Sequence, residues 1–502
     1  MIVLSFAVFI VVGYFVSRKV KNSEDYYVMG HQAGTLLTTG TIIASYCSSA
    51  FFTGIFAMSY NNGLGSGILN YGCLVTWIIL MFVLGPRVSR MKVWTIPEIL
   101  GKRYGTDRIR TLASVLLIFA CATYLVSIFV ACGIALGPPL GISTKAAIII
   151  SGIVVLIFSV SGGMWGVVVT DTMMMFLFLA AAFIGFPVAL THGGINNPME
   201  LVAVINEKLP GTFTASGYLP MFGNPIWSGG GFVGFITMMI ITSGGVGLTS
   251  SLTLSRVMIC KNDKTVARSF MLAQILLIVL AFLIHTTAPF IKIVAPADVR
   301  GPSGYIWMLT QWVPPVITGV ILAGIAAAGL STASTLLQQT GSSVGNDIIA
   351  KFFMKNIPAD QKDKKILNVS RLVMGIVGVV MVLVCMIDVA GDFFVLYSWA
   401  FASGIFMCWL PAIVVGAVSK KVTEPAAFWS TLISLIVYLI NWVLTLVNPQ
   451  VPHQIFITAP LCFIILFVVM RQRKPTEREV DGFWKMQSKQ YKKTHGYTNV
   501  EG

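Results

Sequence analysis

Between Gly324 and Ser343 the chain reads GIAAAGLSTASTLLQQTGSS, inside an apolar segment that opens near Pro314 and closes at Asp347. At helical pitch Ala328, Ser331, Thr332 and Thr335 fall at i, i+3, i+4 and i+7, on one face. Ser334 lies beside Ser331 and Thr335. The stripe holds small residues and hydroxyls and no charge. Two chemistries fit it. Small residues let helices approach closely, and a Ser or Thr hydroxyl bonds the carbonyl one turn back. Alternatively, hydroxyl and carbonyl oxygens build a cage for a hard cation of sodium's size. The stripe alone does not choose between them.

Other reactive groupings are missing from the sequence. The five histidines, His31, His192, His285, His453 and His495, are isolated and form no metal set. The eight cysteines are scattered, with no CxxC or Cys/His spacing, and read as free thiols; Cys260 falls in a basic loop. No HExxH, GxSxG or kinase signature occurs, and the Gly-rich stretches at 63–67 and 229–231 follow no strand. The chain does not read as an enzyme.

The elements that must position the stripe follow from composition. Of 502 residues, 56% are hydrophobic and 11% charged, whereas about a quarter are charged in soluble domains. Apolar runs long enough to cross a hydrocarbon core recur thirteen times, near 1–17, 34–58, 65–85, 111–137, 143–160, 168–192, 231–255, 269–292, 314–347, 370–390, 394–418, 427–448 and 454–470. The class is an all-α polytopic membrane protein, and the first run is a retained span, not a signal peptide. The net charge of +15 does not mean nucleic acid. With the N-terminus outside, the inward loops 18–33, 86–110, 161–167, 256–268, 348–371 and 419–426 and the tail from Arg471 hold 30 of the 34 Lys and Arg. That asymmetry is the positive-inside signal and puts the C-terminus in the cytoplasm of a cell (plasma or inner) membrane.

Two spans look broken. Ala44-Ser45-Tyr46-Cys47-Ser48-Ser49 interrupts one, and Ser243-Gly244-Gly245-Val246-Gly247 followed by Thr249, Ser250 and Ser251 interrupts the other. Freed backbone groups at that depth are tolerated where they line a cavity. Each broken span opens a set of five, so 34–192 and 231–418 are expected to be two halves of an inverted repeat with a midplane site. Around them lie a first helix and inner loop, 1–33, an outer loop, 193–230, two C-terminal helices, 419–470, and a basic tail, 471–502. Glycines and hydroxyls that only mediate packing fit the same pattern.

The stretch AGLSTASTLLQQTGSSVGNDI at 328–348 resembles the corresponding helix of the sodium:solute symporter family, the sodium-coupled proline, pantothenate, sialic acid and sugar carriers. SEDYYVMG at 23–30, GGMWGVVVTDTMM at 162–174 and KNDKTVAR at 261–268 carry the same resemblance. It implies a LeuT-type ten-helix inverted repeat with flanking helices. It also implies Na+ as coupling ion, held by carbonyls of Ala44, Cys47 and Ala328 and hydroxyls of Ser331 and Thr332. In some members an Asp equivalent to Asp171 joins hydroxyls one turn along, here Ser334 and Thr335, in a second sodium site; read from the residues alone, Asp171 is equally an interfacial carboxylate or helix cap.

By position the solute contacts are Tyr46, Ser48, Ser49 and Phe51, then Asn70 or Tyr71, Tyr124 and Trp399. No basic side chain lies mid-membrane in these spans, so a solute carboxylate would need backbone N–H groups, hydroxyls or sodium. Ala50-Phe51-Phe52 stands where sugar carriers place polar groups, and points to the pantothenate or proline side. The expected function is sodium-coupled import of a small pantothenate-, amino-acid- or carboxylate-like solute across the lipid bilayer, for which a monomer suffices. A proton-driven carrier and a non-transporting sensor on the same fold are the alternatives.

Overall fold

The computed structural model describes residues 2–62, 72–195, 197–210, 240–387, 393–448 and 454–488. Among the described residues the regular structure is helical, apart from one isolated bridge between Ala33 and Cys260. Among the described residues seven helices are long and apolar enough to cross a membrane, or nine if each of two bent pairs counts as one span. Shorter apolar helices at Ala7–Ser17, Thr144–Ile157 and Gln454–Met470 accompany them. Each expected span has a helical counterpart among the described residues, although the spans at 65–85 and 231–255 are described only from Gly72 and Ile240.

The first expected break is present. Thr35–Tyr46 and Phe51–Asn61 meet at 52°. Cys47 leaves helical geometry at φ −90°, ψ 41°, and the chain re-enters a helix through a wide turn at Phe51–Ile55. Short side chains at 47–50 have little to pack, and the Ser49 carbonyl is taken by the Thr53 hydroxyl at 3.0 Å. The second break falls at Thr249 and Ser250, where Ser250 caps the short helix Ser251–Met258 by accepting from the Thr253 amide. A third bend, 43° between Ser398–Cys408 and Leu410–Val418, was not expected from sequence. Pro411 sits in the first turn after it, where its missing N–H costs nothing.

The inner loop expected at 161–167 shrinks to a kink. Helix Thr144–His192 is continuous except at Gly163, whose φ of 55° and ψ of −167° suit only glycine. A Cβ there would also sit 2.7 Å from the Tyr26 ring. The consequence is that the helix around Asp171 starts earlier than its apolar run, and Asp171 lies two turns inside it.

The basic loops gather at one face. Arg90 pairs with Asp263, Arg110 with Asp347 and Lys351 with Asp107, joining the segments 86–110, 256–268 and 348–371. The Tyr27 hydroxyl lies 2.7 Å from that of Ser370, and the bridge at Ala33 and Cys260 ties 18–33 to 256–268. Cys260 is therefore buried, as are the other seven cysteines, all free thiols. Part of the tail docks on the same face. Helix Glu477–Met486 begins with a capping box from Thr476 and Glu479. Arg103 donates to the carbonyls of Gly416 and Glu479 at 2.6 and 2.7 Å, and the Glu424 amide donates to Glu479 at 2.5 Å. Contacts among loops drawn from so many span ends require those ends to share a side, which supports the alternation used to count them.

Burial by itself would raise the Glu479 pKa, but the Arg473 guanidinium, the amides of Glu424 and Thr476 and the Thr476 hydroxyl hold it down at about 2. A folded pKa below the ordinary value of about 4.3 gives stability present above that value and lost as pH falls toward 2. The docked tail should therefore loosen between about pH 4.3 and 2, read as a change in Trp484 fluorescence absent from Glu479→Gln. Gly163→Ala should lower the apparent melting temperature, since strain at such a backbone costs of order 1–3 kcal/mol; an unchanged midpoint would mean the kink is not as described.

Candidate functional site

Helix Pro315–Ser342 is buried over nearly its whole inner length, including Ala328, Ser331, Thr332, Ser334 and Thr335. It meets the first break directly: a Cβ on Gly329 would lie 2.4 Å from the Ser49 hydroxyl and 2.4 Å from the Cys132 sulfur. Glycine at 329 is what lets the unwound segment approach the hydroxyl helix. Ala44 and Cys47, at 1% and 0% exposure, lie at the end of the first half-helix. The Cys47 amide reaches back to the Ile43 carbonyl at 2.7 Å, and the next bond runs from the Phe51 amide to the Ser48 carbonyl. Among the described residues no hydrogen bond ends on the carbonyls of Ala44 or Cys47. Buried carbonyls without a partner are costly, and at a break they are ready acceptors.

The hydroxyls of the stripe have acceptors for their protons. Thr332 Oγ1 donates to the Ala328 carbonyl at 3.0 Å. Ser331 Oγ donates to Asp171 Oδ1, and Thr41 Oγ1 donates to Asp171 Oδ2 at 2.5 Å. Each hydroxyl oxygen keeps lone pairs for another ligand. Asp171 thus touches both the hydroxyl helix and the first half of the broken span. It is 1% exposed, neither interfacial nor a helix cap.

A buried cation completes the cluster. Arg256, on the helix after the second break, lies with its Nη2 at 2.7 Å from Ser45 Oγ, 3.0 Å from Thr335 Oγ1 and 3.5 Å from Asp171 Oδ2. Both partners of the ion pair are 1% exposed. The expectation that no basic side chain enters these spans is corrected here. Arg256 was counted with the inner loop because the apolar run ends before it. The capped helix Ser251–Met258 instead carries it into the protein. The signal was available in Ser250, a capping residue followed by Leu252, Leu254 and Val257. Thr41 carried no signal beyond being a hydroxyl one turn before the break.

The residues expected to meet solute fall into separate neighbourhoods. The Tyr46 hydroxyl is 3.2 Å from the Val246 carbonyl and 2.7 Å from Thr253 Oγ1, so it ties the two broken spans together. Its ring stands edge-on to Trp77 at 4.9 Å. Ser48 and Ser49 are buried, with Ser49 Oγ 3.5 Å from the Cys132 sulfur. Tyr124 pairs with Trp399. Phe51 packs edge-on to His285 at 5.0 Å, and His285 in turn reaches Ser59 at 3.2 Å, a neighbour that sequence reasoning did not single out. Asn70 and Tyr71 lie outside the described residues. Among the described residues no group of three or more His, Cys, Asp and Glu is arranged to hold a metal.

Removing one partner of a buried ion pair strands the other, at a cost of roughly 3–5 kcal/mol. Asp171→Ala should therefore lower the apparent melting temperature sharply. Asp171→Asn combined with Arg256→Gln should recover most of the loss, and a coupling near zero in that double-mutant cycle would dissolve the pair.

Comparison with known proteins bears on the family and the fold. The model of the sodium:solute symporter family matches residues 26–434. The chain is 25% identical over 397 residues to the sodium/glucose cotransporter of Vibrio parahaemolyticus, covering 73% of this chain and 70% of that one. It is 23% identical over 359 residues to the sodium/pantothenate symporter of Escherichia coli (strain K12), covering 70% and 71%. A Na+-coupled sialic acid symporter in a substrate-bound outward-open state shares the fold at a TM-score of 0.78 and 19% identity, over 94% of this chain and 97% of that one. A nucleobase-cation-symport-1 family transporter in a closed conformation is more distant, at a TM-score of 0.55 and 14% identity, over 92% and 99%. A helix broken against a buried hydroxyl stripe, on a fold shared with a sodium-coupled carrier and with the family model matching most of the chain, leaves one conclusion: the chain belongs to the sodium:solute symporter family, with sodium as its coupling ion.

Proposed function

We propose that the chain imports a small organic solute, pantothenate-, amino-acid- or carboxylate-like, by alternating access, with one sodium held at the first break. Its ligands are the carbonyls of Ala44, Cys47 and Ala328 and the hydroxyls of Ser331 and Thr332. The observation that carries this is the pairing of unbonded carbonyls at 44 and 47 with hydroxyls whose protons go elsewhere. Five such oxygens replace much of a sodium ion's water shell. Asp171 contributes charge from behind: its carboxylate accepts the Ser331 proton and so makes that oxygen a better donor of electron density to the ion.

Sodium bound there joins the hydroxyl helix to the unwound segment, and Tyr46 joins that segment to the second broken span. An ion that favours one arrangement of these helices favours the solute pocket they share, and the solute favours the ion by the same factor. With the basic face toward the cytoplasm, each sodium entering down 100 mV supplies about 2.3 kcal/mol. That sustains roughly fiftyfold accumulation, since 1.4 kcal/mol is tenfold. A carboxylate on the solute finds no unpaired arginine here, because Arg256 is engaged by Asp171, Ser45 and Thr335. Phe51 and Phe52 are buried aromatic rings just beyond the break, which suits a solute less polar than a sugar.

Uptake of candidate solutes into vesicles should require sodium, and equal uptake with potassium would sink the coupling. Ser331→Ala with Thr332→Ala should raise the half-saturating sodium concentration by tenfold or more, as expected for about 1.4 kcal/mol of lost ligation; an unchanged sodium dependence would move the site elsewhere.

A further inference from the structure

The residues expected to hold a second sodium are Asp171, Ser334 and Thr335. Their donor atoms are largely committed. Asp171 Oδ1 takes the Ser331 proton, and Oδ2 takes that of Thr41 and faces Arg256. Thr335 Oγ1 accepts from Arg256 Nη2 at 3.0 Å, and so does Ser45 Oγ at 2.7 Å. Each of those two hydroxyls accepts from the guanidinium, which then stands where a metal ion bound by the same oxygens would have to sit. Of the donor atoms expected at a second site only Ser334 Oγ has no partner among the described residues, and one hydroxyl is not a site.

The guanidinium is enclosed. It is reached from four helices: Thr35–Tyr46 through Ser45, Thr144–His192 through Asp171, Pro315–Ser342 through Thr335, and its own Ser251–Met258. Its Nη1 touches the sulfur of Met164 at 3.6 Å. Its Nε is buried and unpartnered among the described residues, which an arginine serving only to brace helices would avoid. Arginine keeps its charge at any pH a cell meets, so this cation cannot leave by losing a proton. One carboxylate then faces one fixed cation. A sodium ion placed among the same oxygens would meet that guanidinium at contact distance, where burial leaves their repulsion little screened.

We propose that Arg256 fills, with its own guanidinium, the place between Asp171 and Thr335 that a second sodium would take, so that the chain binds one sodium per cycle. This rests on the sodium site of the preceding subsection for that one ion. The second cation is tethered: it neutralises Asp171 and links both halves of the repeat, but it crosses no membrane and carries no gradient. Selectivity for a single ion is then set by residue 256 and not by the hydroxyl stripe, which retains Ser334 and Thr335.

The test is a count of bound radiolabelled sodium on the purified full-length chain, titrated to saturation without solute. The unaltered protein is expected to bind one ion. Arg256→Gln frees the carboxylate and both hydroxyls, and is expected to bind two, with the slope of the sodium titration rising from non-cooperative toward two-site behaviour. Arg256→Lys keeps a tethered charge and is expected to remain at one, which a bracing role alone would not predict. Asp171→Asn combined with Arg256→Gln removes the carboxylate and is also expected to stay at one. Two ions on the unaltered chain, or one on a folded Arg256→Gln protein, overturns the proposal while leaving the first site standing. No bound sodium on the unaltered chain overturns the first site and this proposal with it. If Arg256→Gln yields no folded protein, the count on the unaltered chain decides by itself: one sustains the proposal and two overturns it.

Discussion

A carboxylate and a guanidinium, both about 1% exposed, hold the middle of this protein together. Neither group is stable there alone. Taking an ion out of water costs several kcal/mol even after relaxation, and only close geometry and further hydrogen bonds repay it. Asp171 collects those bonds from Thr41 and Ser331, and Arg256 returns them to Ser45 and Thr335. The result joins the first half of one broken span, the hydroxyl helix and the second half of the other broken span. Thr35–Tyr46, Thr144–His192, Ser251–Met258 and Pro315–Ser342 are tied by this cluster, which also takes the Ser331 hydroxyl proton.

The breaks are affordable for the same reason. An unwound segment in a membrane protein must find partners for its backbone inside the protein. Gly329 brings the hydroxyl helix close enough to the gap at 47–50 to place oxygens opposite oxygens. Tyr46 extends the link to the second broken span through the Val246 carbonyl and the Thr253 hydroxyl.

At the opposite extreme, the basic face is stitched by charge and by tail. Arg90 with Asp263, Arg110 with Asp347 and Arg103 with the carbonyls of Gly416, Ser419 and Glu479 close that face in this conformation. Opening a path toward it requires some of these contacts to break. Their number means that the closed arrangement is favoured by many partial contributions, not by one gate residue.

How much of this was legible in the sequence follows from the range of each force. Composition and the spacing of apolar runs determined an all-helical membrane protein, because a bilayer demands long apolar helices whatever their neighbours. The loop charges determined that alternate ends share a face. The small, polar run at 44–49 marked the first break, since no helix in an apolar medium tolerates such a run without cause. The hydroxyl stripe of Ser331, Thr332 and Thr335 was readable as one face of one helix. What only the tertiary structure decided are relations across elements. Gly163 turned an expected loop into a kink because Tyr26 packs on it. Arg256, assigned to a loop by hydropathy, proved to be buried because a carboxylate far away in sequence compensates it. A charge is placed by its partner, and a partner on another helix leaves no trace in local periodicity.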